Sequence, residues 1–262
     1  MVSLRKFIAS NMNYVAVSRF LTILAVLLFS SCVEDRQIPV LQDYIVHEVD
    51  IKELSGLDFN MDMSALVACG DKGVVAGISF DGAVTELYSH RSDMEGVTVD
   101  PNTGDIYMAI ERLQEIHKLA SPGYKEESLC FAVQEALSSM YANDGLEAVE
   151  YYKDGLLFVG SQFDANLWQY RTDGTQVSKI SLSSFASEIA GLYYDDESGL
   201  LWVTDSEMRK IFLCTPEGEL KASYDISFIK NAESICVDRK RNCVWVGSDE
   251  EPSKLYRFEV RF

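Results

Sequence analysis

Side chains that could bind a cation recur at two positions of a sequence repeat. The first position lies directly before a small residue, and its five occurrences are Ser55, Glu95, Glu147, Ala190 and Glu233. The second position ends a later apolar run, and its occurrences are Asp71, Glu111, Gln162, Asp205 with Ser206, and Ser248 with Asp249. Carboxylate oxygens are the ligands that Ca²⁺ and Mg²⁺ prefer, whereas zinc prefers the His and Cys side chains that both rows lack. The pattern therefore predicts that any cation bound by these rows is Ca²⁺ or Mg²⁺, with Glu95, Glu147 and Glu233 as candidate ligands, and the alternative is a set of ordinary turn and surface residues in an acidic chain.

The elements that carry these residues are five similar hairpins. Each begins at a small residue, continues through a short strand pattern, turns on polar residues and returns in a second apolar run. The five small residues, called the anchors below, are Gly56, Gly96, Ala148, Gly191 and Ser234. Spacings of 40 to 52 residues between anchors, with several strands in each unit, are typical of a β-propeller with four-stranded blades. We predict an all-β fold with five blades; the alternative of six would require a further repeat.

The last repeat lacks a fourth strand because the chain ends at Phe262. Residues 43–51 have the alternation of a strand and precede the first repeat, as a fourth strand precedes each later one. We expect this segment to complete the last blade and close the ring, which would cover an exposed sheet edge.

Hairpin geometry predicts that the two polar rows meet. In an antiparallel hairpin the start of the first strand lies beside the end of the second. If the first strand of every blade is innermost, both rows lie around one mouth of the central channel. Crowded carboxylates there would repel one another and raise their pKa values unless a cation neutralises them.

The first 31 residues have the features of a bacterial lipoprotein signal peptide. Basic residues precede the apolar run FLTILAVLLF (20–29), which is too short to span a membrane as a helix, and small residues precede Cys32. We predict that Cys32 is lipidated and that residues 32–42 link it to a propeller domain of residues 43–262; a plain secretion signal or an anchor helix is the alternative. The expected location is the bacterial outer membrane, on its periplasmic or its cell-surface side.

The net charge and the motif content of the chain disfavour several classes of function. A formal net charge of -18 disfavours nucleic acid, which needs a basic surface. The chain has no familiar catalytic motif, and its three histidines occupy different repeat positions.

Cys236 and Cys243 flank a turn of the fifth hairpin, so a disulfide between them is one alternative and two free thiols are the other. The aromatic row of Tyr107, Phe158, Trp202 and Trp245 has the blade period, which favours packing between blades over sugar binding.

The segments AGLYYDDESGLLWVTDSE and DGLEAVEYY resemble the SdiA-regulated family of bacterial β-propellers, and the similarity extends over residues 43–262. Related propellers hold a divalent cation, often calcium, at the channel mouth, with a Glu before a Gly among its ligands. Glu95-Gly96 matches that pattern, Glu147-Ala148 and Glu233-Ser234 differ in the small residue, and Ser55 and Ala190 lack the acid. Two functions follow: a binding lipoprotein that presents the channel mouth to a ligand or protein, which we prefer, and a metal-assisted hydrolase of the lactonase or phosphoesterase kind.

Overall fold

The strands pair into five antiparallel sheets of four strands each, so the protein is a five-bladed β-propeller, as the repeat predicts. The computed structural model describes residues 38–89, 93–125, 127–135 and 145–262. Residues 1–37, with Cys32 and the predicted signal peptide, lie outside the described residues, as do His90 and most of the long insertion before the third repeat. Within the described part of the chain, no helix has the length and apolar character that a membrane crossing requires.

Blades 1 to 4 place their strands in chain order from the axis outward. Blade 1 contains β2 (Leu54–Phe59), β3 (Leu66–Gly70), β4 (Val74–Ile78) and β5 (Val84–Ser89). Blade 2 contains β6 (Met94–Val99), β7 (Ile106–Ile110), β8 (Glu115–Leu119) and β9 (Glu127–Ala132). Blade 3 contains β10 (Leu146–Lys153), β11 (Leu156–Ser161), β12 (Asn166–Arg171) and β13 (Gln176–Ser181), with a 3-10 turn at Phe163–Ala165. Blade 4 contains β14 (Gly191–Asp195), β15 (Leu200–Asp205), β16 (Lys210–Cys214) and β17 (Leu220–Asp225).

Blade 5 closes the ring by combining the two ends of the described chain. Its strands are β18 (Ala232–Asp238), β19 (Cys243–Ser248), β20 (Lys254–Arg261) and, outermost, β1 (Val40–Glu48). β1 runs antiparallel to β20, from the pair Val40 and Arg261 to the pair Glu48 and Lys254. The predicted closure is confirmed. The strand begins three residues earlier than expected, because Val40 and Leu41 of the predicted linker already pair with β20 ahead of a bulge.

The anchors are small because the inner strands of adjacent blades approach one another closely. A Cβ atom on Gly96 would lie 2.7 Å from the backbone nitrogen of Val149, and one on Gly191 would lie 2.6 Å from the carbonyl oxygen of Glu233. These distances are shorter than van der Waals contact, so a larger side chain would push the blades apart. At this level the channel narrows to a space of about 10 Å³, about the volume that one water needs.

The core lies between blades rather than within one. The predicted aromatic row is buried throughout: Tyr107, Phe158, Trp202 and Trp245 are 5% exposed or less. Trp245 of blade 5 stacks on Phe80, which follows β4 of blade 1, with ring centroids 5.8 Å apart. Packing between sheets is therefore the role of this row.

The disulfide that the sequence left open does not form. Cys236 lies opposite Trp245, and Cys243 lies opposite Asp238, so the two cysteines are two residues out of register. Both are free and buried, and they pack in the apolar cluster between blades 5 and 1.

Candidate cation-binding site at the channel mouth

Local irregularities in the inner strands carry the first acidic row. The pairing register shifts between Met94 and Gly96, between Leu146 and Ala148, and between Ala232 and Ser234. The skipped residue in each case is a glutamate: Glu95, Glu147 or Glu233. A β-bulge turns a side chain away from its regular alternation, and here the three glutamates line the mouth of the channel. Ser55 occupies the same kind of bulge in blade 1, whereas the β14 ladder begins at Gly191, after Ala190.

These bulges surround an open cavity of about 370 Å³ at one end of the channel. The second row reaches it from the ends of β3, β7, β11 and β19. The lining residues are Ser55, Asp71, Asp93, Glu95, Glu111, Arg112, Glu147, Gln162, Glu233 and Asp249. Seven of these side chains are acidic and one is basic, so carboxyl groups dominate the lining of the cavity.

Blade 4 contributes no residue to the lining of this cavity, so the predicted site residue Asp205 does not line it. Asp205 is fully buried and accepts hydrogen bonds from the backbone N–H groups of Ser187 and Met208, both at 2.7 Å. Its carboxylate therefore holds the loop before β14. Ser206 also lies outside the lining and acts through a neighbour, because its hydroxyl donates to Oε1 of Glu233 at 2.9 Å.

The connections between blades supply residues that the repeat did not identify. Asp93 lies just before β6, where the chain has no repeated position, and it forms an ion pair with Arg112. Ligand oxygens of Asp71, Asp93 and Glu95 all lie within 4.8 Å of one another. This group, rather than the predicted set of Glu95, Glu147 and Glu233, is the most compact candidate for metal ligation among the described residues. The two polar rows include Asp71 and Glu95, whereas the short spacing of Asp93 and Glu95 is the only sequence signal for Asp93.

Burial and mutual repulsion raise the pKa values of the mouth carboxylates. Burial, together with the charge of Asp71, raises the pKa of Glu95 to about 8. Burial and Asp93 raise the pKa of Glu111 to about 7, and burial is likewise the main cause that raises the pKa of Glu233 to about 7. Burial and the charge of Glu95 raise the pKa of Glu147 well above its ordinary value. At neutral pH the cavity therefore holds protons that a bound cation would displace.

Asp71 and Asp93 are neighbours with opposite pKa shifts, so Asp93 is the member of the pair that takes up a proton first as the pH falls. Burial and a hydrogen bond with Asp71 raise the pKa of Asp93 to about 6. Burial opposes ionisation of Asp71 too, but hydrogen bonds from Asp93, Glu53 and Lys72 outweigh it and lower the pKa of Asp71. Asp71 is thus the ionised member of the pair, at the point where a cation would approach Glu95.

Comparison with known proteins identifies the fold. No protein-family model matches the chain, and no curated protein matches it. Among solved structures, it is similar to a gluconolactonase from Xanthomonas campestris, with 13% identity over 87% of this chain and 96% of that one and a TM-score of 0.57. It is also similar to virginiamycin B lyase from Staphylococcus aureus, with 13% identity over 83% and 99% and a TM-score of 0.54. An auxiliary nutrient binding protein from Bacteroides thetaiotaomicron matches at 9% identity over 80% and 59%, with a TM-score of 0.52.

Proposed function

We propose that the protein is a binding module that holds a divalent cation at the carboxylate-lined mouth of its channel, and that Ca²⁺ is the preferred cation. The observation that carries this proposal is the convergence of seven carboxylates from four blades and their connections around one cavity, with Arg112 as the only basic side chain in the lining. Hard oxygen ligands at adjustable distances suit Ca²⁺.

The ring of ligands is incomplete, which bears on what else binds there. Ala190 supplies no side-chain oxygen in blade 4, and Asp205 is engaged with its own loop. A cation held by Asp71, Asp93 and Glu95 would keep free coordination positions facing the cavity. Oxygen atoms of a second ligand would occupy them, so the cation and the ligand would bind together.

The cellular setting completes the proposal. The order of basic, apolar and small residues before Cys32 supports a lipid anchor at that cysteine. The protein would then be held at the bacterial outer membrane as a lipoprotein, on the periplasmic or the cell-surface side, and its repeats resemble those of the SdiA-regulated propellers. The net charge of -18 supports partners other than nucleic acid.

Calcium titration of the folded protein tests the binding function. Isothermal titration calorimetry should show saturable Ca²⁺ binding, and millimolar Ca²⁺ should raise the melting temperature because the cation binds the folded state. The double variant Glu95→Gln and Glu147→Gln should lose both effects. A matched variant with two exposed carboxylates replaced, Glu217→Gln and Glu259→Gln, should keep them. An unmoved wild-type melting curve, together with no calorimetric signal, would refute the cation site.

A hydrolase of the lactonase or phosphoesterase kind is the second candidate. The observation that favours it is that Glu111 and Glu233, beside the candidate cation ligands, have pKa values of about 7, which suits a general base at neutral pH. A bound cation could polarise a carbonyl or phosphoryl oxygen there. Calcium-dependent turnover in a panel of lactones and phosphoesters, lost in Glu233→Gln, would establish catalysis. Calcium binding without turnover would leave the binding role.

A further inference from the structure

A second ring of side chains surrounds the channel beyond the constriction. Side chains alternate along a strand, so the residues two positions after the anchors lie on the same side of their strands as the anchors do. One comes from each inner strand: Asp58, Thr98, Glu150, Tyr193 and Cys236. Asp58, Glu150 and Tyr193 line a cavity of about 420 Å³ that shares no lining residue with the mouth described above.

Hydrogen bonds hold the two carboxyl groups of this ring in place. Asp58 Oδ2 accepts from the backbone N–H of Val99 at 2.7 Å and from the hydroxyl of Thr98 at 2.9 Å. Glu150 Oε1 accepts from the backbone N–H of Tyr194 at 2.8 Å. Thr98 has one hydroxyl proton and donates it to Asp58. Its 3.3 Å contact with Glu150 Oε2 is therefore a hydrogen bond when Glu150 carries a proton and donates it to the Thr98 oxygen. The ring then holds one negative charge, on Asp58.

No basic side chain of the described residues forms an ion pair with either group. The neighbouring carboxylates differ: Asp195 pairs with Arg239, and Asp238 pairs with Arg241 at 2.8 Å. Asp58 and Glu150 are 8% and 4% exposed. A buried carboxylate without a counter-ion is costly, and a cationic ligand in the adjoining cavity would lower that cost.

The walls of the cavity are aromatic. They include the rings of Phe59, Tyr151, Tyr152, Tyr193 and Tyr194. Tyr152 and Tyr194 meet edge to face with centroids 4.6 Å apart. Four acidic side chains, Asp58, Glu150, Asp154 and Asp196, line the cavity together with one basic side chain, Lys153. The faces of aromatic rings attract cations, and quaternary ammonium groups are the ligands that aromatic cages take.

An ammonium group of the chain itself already contacts one of these rings. The Lys153 Nζ atom lies 4.6 Å from the centroid of Tyr152, within the range of a cation–π interaction. Its side chain is exposed, so an outside ammonium group could take its place on that face.

We propose that this cavity binds an organic cation with an alkylated ammonium head group. The aromatic rings would contact the methyl groups, and the Asp58 carboxylate below them would supply the charge. A metal ion fits less well, because the Asp58 and Glu150 oxygens already accept hydrogen bonds from the backbone. The site lies at the other end of the channel from the proposed calcium site and does not depend on it.

Choline and its neutral isostere 3,3-dimethyl-1-butanol test the proposal, since they differ in charge and hardly in shape. Calorimetry on the full domain should show saturable binding of choline, and binding of the alcohol at least tenfold weaker. Tyr152→Leu should weaken choline binding about tenfold, whereas Tyr152→Phe, which keeps the ring, should bind as the wild type does. The mouth variant Glu95→Gln and Glu147→Gln should leave choline binding unchanged.

Lys153→Gln provides a test that leaves the aromatic rings and the carboxyl groups of the cavity in place. Removing the resident ammonium group frees the Tyr152 face and removes a repulsive charge, so choline should bind several-fold more tightly. Choline affinity equal to or below the wild-type value in Lys153→Gln would overturn the proposal. Equal affinity for the alcohol, binding of neutral sugars in place of choline, or absence of choline binding would overturn it as well.

Discussion

Replacing Glu95 by glutamine should change how the stability of the protein depends on pH. The folded-state pKa of Glu95 is raised from 4.5 to about 8, chiefly by burial and then by Asp71. An acid with a raised folded-state pKa binds more protons in the folded than in the unfolded state. Its stabilising contribution is therefore complete below about pH 4.5 and is lost as the pH rises toward 8. Glutamine does not titrate, so Glu95→Gln removes this dependence.

The size of the effect follows from the pKa shift. One pKa unit corresponds to about 1.4 kcal/mol, so raising the pH from 5 to 7 should cost the wild type roughly 2–3 kcal/mol through Glu95 alone. For a domain of this size, each kcal/mol shifts the melting temperature by about 2–4 °C. The wild type should therefore lose about 5–10 °C more than Glu95→Gln between these pH values.

Thermal melts in a chelating buffer at several pH values would measure this difference. Glu217→Gln, at an exposed turn, is the control and should follow the wild type. Adding millimolar Ca²⁺ at pH 7 should restore most of the lost stability in the wild type and little in Glu95→Gln, because the cation takes the place of the proton. Parallel pH profiles of the wild type and Glu95→Gln would refute the argument that burial and repulsion at the mouth hold protons on Glu95.

Other parts of the fold lead to three further predictions. Gly96→Ala should destabilise the protein by roughly 2–3 kcal/mol, since its Cβ would lie 2.7 Å from the Val149 nitrogen. The control Gly77→Ala should be close to neutral, because the atoms nearest to its Cβ would be 3.9 Å away. Similar losses of stability in both variants would contradict the close approach of the blades. Deleting residues 38–48 should lower the melting temperature and promote aggregation measured by light scattering, because β20 would then expose its edge; a deletion variant as stable as the full chain would argue against closure by β1. Cys32→Ser should move the protein from the membrane to the soluble fraction on cell fractionation, and persistent membrane association would exclude a lipid anchor at this residue.

The repeat made most of the fold predictable. Gly56, Gly96 and Gly191 lie where the inner strands of adjacent blades are in contact, and a larger side chain there would clash. Because the same restriction applies in each blade, small residues recur along the sequence at the spacing of the blades. The absence of a strand after β20 and the spare strand pattern before the first repeat together predicted the closure. The strand start at Val40 could not be predicted, because the polar residues at the bulge interrupt the apolar alternation and the pairing with Arg261 joins residues far apart in sequence.

The candidate sites depended more on tertiary structure. Repetition identified Glu95, Glu147 and Glu233, since equivalent positions of a ring must lie at the same level. It could not identify Asp93, which lies in an irregular connection, nor could it exclude Asp205, whose carboxylate accepts hydrogen bonds from Ser187 and Met208.

The sequence determines where the carboxyl groups of the second ring lie, and the tertiary structure determines their charge partners. Counting two residues from each anchor places Asp58 and Glu150 at one level of the channel, which the sequence alone determines because side chains alternate along a strand. Whether those carboxyl groups have counter-ions is a different matter. Arginines reach Asp195 and Asp238 and no basic residue of the described chain pairs with Asp58. Charge neutralisation depends on distances between residues far apart in sequence, so only the folded structure decided it.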